Sequence, residues 1–166
     1  HSFEDHERGG LLLEDFHNDN TFRNIMYHFT VSRPPIIVIV TLLKRLRRMG
    51  LSKKDDIKEY RLVFLLCACP VTVPEKVFQF LVEWDPTSLV HTDGYESFPL
   101  HYAAQYSTME GFRITLEYGI RYYPFQKGSC LLFRKDNNAG GTPFQTACQQ
   151  YGRTKVMEIV EEILTR

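Results

Sequence analysis

The chain has 166 residues, 43% apolar and 24% charged, enough to bury a sizeable core, which excludes disordered and fibrous classes. Twenty basic residues balance twenty acidic ones, so the chain as a whole carries no electrostatic footprint for nucleic acid or an anionic membrane. The longest apolar run, Ile36 to Val40 with Leu42 and Leu43 beyond it, falls far short of the ~20 residues that cross a bilayer.

The chain opens at His1 rather than methionine, which reads as a fragment or processed form. Residues 1–9 read as a flexible segment and 10–166 as one all-α domain. The first helices are predicted over 22–29 and, opened by Pro34-Pro35, over 35–48. Lys44, Arg45, Arg47 and Arg48 close the second, and Lys53 and Lys54 follow. This cluster fits either a phosphate- or lipid-contacting edge or a solvated helix end whose cations complement the dipole. Asp55, Asp56 and Glu59 come next and offset the field, which favours the second.

A helix is predicted over 60–69. Thr72-Val73-Pro74-Glu75 is then a capping box, opening a helix over 74–84. Val77, Phe80, Leu81 and Trp84 share one face of it, and Asp85-Pro86 stops it. Pro99-Leu100-His101-Tyr102-Ala103-Ala104-Gln105 predicts a helix over 99–106. The next, over 109–118, carries Phe112 to Leu116 and takes Gly119 as its stop. Ile120 to Ser129 reads as an insertion. Asn137-Asn138-Ala139-Gly140-Gly141 is turn chemistry, and Thr142-Pro143-Phe144-Gln145 caps a helix over 143–151. Val156, Ile159, Val160, Ile163 and Leu164 line one face of a last helix, 154–164.

Two of these segments repeat one another. Each has a proline, a large apolar residue, two further residues and a small pair, Ala103-Ala104 or Ala147-Cys148, then a second helix. Weaker copies precede them, with Phe22 and Leu65 taken at the place of Leu100 and Phe144. The copies fall near 10–51, 57–92, 93–135 and 136–166. Gly94 stands farther from Pro99 than Gly140 does from Pro143, so a longer or irregular turn is expected before the third copy.

Pro99-Leu100-His101, Ala103-Ala104, Leu116 and Gly119, with Gly140 and Thr142-Pro143, resemble the ankyrin repeat at the family's spacing. The Ala147-Cys148 pair and the run Tyr151 to Leu164 are similar to the long, divergent ankyrin-type repeats common in diatom proteins. The resemblance implies an α-solenoid of about four helix–turn–helix repeats and a protein-binding role. Contacts would come from turn tips and the concave face of first helices: Tyr95, Glu96, Tyr102, Gln105 and Tyr106, then Asn138, Thr146, Gln149 and Gln150. His101 would tie its helix to the adjacent turn. Phe98 stands in place of the family's capping threonine, and Gln145 in place of its histidine. Two alternatives are an adaptor that binds nucleic acid or an anionic membrane through residues 44–54, and an accessory domain of a larger enzyme.

Catalytic signatures are missing from the sequence. There is no nucleophile elbow, phosphate loop or dinucleotide fingerprint. His1, His6, His17, His28, His91 and His101 hold no metal-ligand spacing, and Cys67, Cys69, Cys130 and Cys148 are expected as buried thiols. No enzymatic activity, cofactor, metal or small-molecule ligand is expected, and the thiols fit a reducing, cytoplasmic or nuclear compartment.

Overall fold

The computed structural model describes residues 36–70, 74–124, 126–138 and 140–165. The expected segment 1–9 and helix 22–29 lie outside them. Among the described residues there are helices and no strand: α1 Ile36–Arg48, α2 Lys54–Glu59, α3 Leu62–Cys67, α4 Glu75–Trp84, α5 Pro99–Tyr106, α6 Met109–Tyr122, α7 Gln126–Phe133, α8 Pro143–Tyr151 and α9 Arg153–Leu164, with a 3-10 turn at Pro86–Leu89.

Local chemistry explains where the best-defined helices begin. In α8, Thr142 Oγ1 accepts from the Gln145 N–H and Gln145 Oε1 from the Thr142 N–H, both at 3.1 Å, a reciprocal box with proline at the first helical position. Half of that box recurs in α5. Phe98 has no acceptor, but His101 Nδ1 accepts from the Phe98 N–H at 3.0 Å. Thr108 caps α6 by accepting from the Gly111 N–H.

Three departures from the sequence reading have physical causes. Gly119 does not stop a helix; α6 runs through it to Tyr122. A Cβ there would lie 2.9 Å from Leu131 Cδ1, so Gly119 serves close packing against α7. The expected insertion 120–129 is thus largely helix, the end of α6 and the start of α7. Helix α2 was not expected. It is polar except for the buried Ile57, and Asp56 accepts from the Lys53 N–H at its start. Finally, counted from the helix starts at Arg61 and Phe98, buried Val63 takes the place of Leu100. Leu65 is only half-buried.

Helices α3, α5 and α8 touch in succession, as do α1, α4, α6 and α9 behind them. Each front helix also packs on the back helix that follows it: α3 on α4, α5 on α6, α8 on α9. The core divides accordingly. One cluster joins Ile39, Leu43, Leu66, Val77, Phe78 and Leu81 to Ala103, Ile114 and Tyr118. The other joins Leu100, Ala104, Phe112 and Leu116 to Ala147, Val156, Ile159 and Ile163. The pair α5–α6 therefore presents apolar side chains to both sides, Ala103 to one and Leu100 with Ala104 to the other.

Ala104 has no exposed surface, and Ala147 faces the same cluster. Cys148, expected to be buried with them, is half-buried. Ala104→Leu is expected to overpack the α5–α8 contact and cost ~1–3 kcal/mol, read as a lowered denaturant midpoint. An unchanged midpoint would contradict this packing.

Candidate functional site

The two turns ahead of α5 and α8 close in a similar way, the first one residue shorter than the second. The Asp93 N–H donates to the Ser97 carbonyl at 3.1 Å, and the Asp136 N–H to the Gly141 carbonyl at 3.2 Å. Glu96 and Gly140, each three residues before its proline, both take positive φ, 58° and 64°. The first turn is therefore not longer than the second. Its left-handed position is held by Glu96 rather than Gly94, at a steric cost that glycine escapes.

These turns are also joined to one another. The Asn137 N–H donates to the Tyr95 carbonyl at 2.8 Å, and Ser97 Oγ to an Asp136 carboxylate oxygen at 3.3 Å. Glu96 and Arg134 pair at 3.5 Å, and the Arg134 guanidinium lies 4.9 Å from the Phe98 ring centre. Buried His101 adds a fifth link. Its Nδ1 accepts from Phe98, so its Nε2 carries the proton and donates to the Arg134 carbonyl at 3.1 Å. The structural role expected of His101 is thus present, with the backbone N–H of Phe98 in the part expected of a threonine.

The expected contact residues separate into two groups. Tyr95 and Tyr106 are 59% and 47% exposed, and Glu96, Gln105, Asn138, Gln149 and Gln150 are exposed as well. Thr146 is half-buried. Tyr102, expected to stand exposed in the groove, is half-buried too. Its hydroxyl donates to Asp93 at 2.7 Å, and its ring meets Phe64 edge-on at 5.2 Å. Burial, with the Asp93 hydrogen bond behind it, pushes the Tyr102 phenol up to about 12. Burial alone would raise the Asp93 carboxyl. Hydrogen bonds from Tyr102, Ser97 and Tyr95 outweigh that and hold it below its ordinary range. Tyr102 therefore braces the turn.

Sequence reasoning missed Asp93, Arg134, Asp136 and Tyr151. Both aspartates start a turn, which is a local signal. The roles of the other two depend on contacts distant in sequence. The Tyr151 hydroxyl reaches back to the Ser107 carbonyl, 2.7 Å, at the end of α5.

Elsewhere, two members of the basic cluster have side-chain partners. Arg47 lies over the Trp84 ring at 4.7 Å, and Lys54 pairs with buried Asp85 at 3.3 Å. A groove of about 540 Å³ beside α2 and α3 mixes Asp55 and Glu59 with Lys58, Arg61 and His91. Cys67 and Cys69 are buried, and burial pushes the Cys67 thiol up to about 12. Cys130 is exposed, against expectation. Among the described residues no group of three or more His, Cys, Asp or Glu is placed to hold a metal, and no helix is long and apolar enough to cross a membrane. No family model, no curated protein and no solved structure matches the chain.

Proposed function

We propose that the chain is a non-catalytic interaction module. In this reading it is a stack of about four ankyrin-like helix–turn–helix units that binds protein through its turn tips and the open face of its front helices. The observation that carries the reading is the pair of similarly closed turns, joined backbone to backbone. It holds Tyr95 at a fixed place beside Asn138. Tyr106 and Gln105 on α5, with Gln149 and Gln150 on α8, extend the same surface along the front row. Exposed tyrosines on rigid elements offer contact area at little entropic cost, which suits an interface anchor. The front and back rows of helices, each unit packed on the next, support the ankyrin-like part of the reading.

The contact set carried forward is Tyr95, Glu96, Gln105, Tyr106, Asn138, Gln149 and Gln150, with Thr146 at its edge. Tyr102 belongs to the support beneath it. The test is affinity capture with the full chain beside Tyr95→Ala/Tyr106→Ala, followed by titration of whatever the parent alone retains. The double variant is expected to weaken that complex by ~2 kcal/mol or more, while Arg47→Gln/Arg48→Gln changes it little. Loss of the partner with the arginine pair, and not with the tyrosines, would replace this reading by the electrostatic one.

A further inference from the structure

We propose that α1 docks on an anionic lipid surface, a function separate from the protein-binding surface on the front row. Ile37, Thr41, Lys44, Arg45 and Arg48 fall on one stripe of the helix, and all are exposed. Leu42 and Met49 flank the stripe. Ile37 and Leu42 in the helix and Met49 just past its end are 70%, 41% and 64% exposed, so apolar surface lies open beside the cations. The opposite side is spoken for. Ile39 and Leu43 are buried in the core shared with α4, and Arg47 lies over Trp84.

Charge identifies what fits this face. No acidic residue stands between Ile36 and Lys54. Among the described residues, Lys44, Arg45 and Arg48 make no ion pair, whereas Lys54 is taken by Asp85. Cations that only complemented the helix dipole would need no apolar neighbours on the same stripe. A nucleic acid would use the three cations but gain nothing from Ile37, Leu42 and Met49. A lipid surface uses both, the apolar side chains at the acyl boundary and the cations at the headgroups. The chain's overall neutrality does not oppose this, because screening confines the attraction to charges within about 10 Å of the surface.

The test is co-sedimentation of the full chain with phosphatidylcholine vesicles, with and without phosphatidylserine. Binding is expected only with phosphatidylserine and is expected to fall as salt rises. Lys44→Gln/Arg45→Gln/Arg48→Gln should weaken it about tenfold or more. Ile37→Ser/Leu42→Ser/Met49→Ser should weaken it measurably too. Trp84, the sole tryptophan, packs beside α1 and reports folding. If a triple variant loses its native emission, Arg45→Gln and Met49→Ser take its place. Failure to sediment with the anionic vesicles would overturn the proposal. So would equal binding to both vesicles, or charge and apolar variants that bind like the parent. Retention on duplex DNA in preference to vesicles, unchanged by the serine variant, would overturn it in favour of nucleic acid.

Discussion

Phe112→Ala is expected to lower stability by ~3–5 kcal/mol, the largest loss from any single side chain considered for this chain. Phe112 has no exposed surface and sits where α6 meets α8 and α9, its ring 6.3 Å from that of Tyr151. Truncation removes the ring from a cluster with no competing exit to solvent, so it leaves a cavity as well as lost burial. The divided core makes the effect directional. Amide protection should fall most in α8 and α9 and least in α3 and α4, whose apolar side chains belong to the other cluster. Native-state hydrogen exchange reads this directly. Equal loss across both halves would mean that the two clusters unfold as one.

The second large effect concerns His101 and pH. Burial holds its imidazole below the ordinary value of 6.5, and nearby Asp136 and Asp93 oppose this without reversing it. Geometry points the same way: a proton on Nδ1 would face the Phe98 N–H that now donates to it. The folded chain thus binds this proton less readily than the unfolded chain. Its contribution to stability is complete above pH 6.5 and is lost as pH falls from there towards the folded value. His91 acts in the same direction, lowered by burial and by Lys58 and Lys54 against Asp85. At neutral pH, His101→Ala strands the buried Phe98 N–H and leaves the Arg134 carbonyl unpaired, at a cost of ~2–4 kcal/mol. His101→Gln should lose less, since Gln145 already accepts from the N-cap N–H in α8. Chemical denaturation of both variants between about pH 5 and pH 8 should show a flatter profile than the parent. A parent-like slope in His101→Gln would assign the pH response to His91 instead.

Residues 93–106 and 140–151 were the most legible in the sequence because their signals are local. Thr142, Pro143 and Gln145 act within one turn, and so do Pro99 and His101. Helices 99–106 and 143–151 were legible to the residue for that reason. What failed depended on distant partners. A glycine in a helical pattern reads as a terminator, and only the Leu131 side chain beside it reveals that Gly119 makes room. Helix α2 shows no apolar period, because it buries a single residue. In α7, Gly128 and Ser129 read as loop. Tyr102 matched the spacing of an exposed groove residue, but its neighbours Asp93 and Phe64 come from other elements and give it a structural task. The set Tyr95, Tyr106, Gln105, Gln149 and Gln150 came from the ankyrin resemblance combined with spacing, and all five are exposed.

The backbone bond from Asn137 to Tyr95 has a consequence for recognition. Two loops that moved independently would each have to be immobilised by a macromolecule touching both, with the entropy lost at that moment. Here that entropy is surrendered during folding, when the second turn locks onto the first. In the proposed binding role the pair would meet a partner as one object, with the distance between its tips set beforehand. Such an object discriminates by spacing. A partner whose contact groups match the interval gains both turns at once, and one whose groups are set too near or too far gains only one.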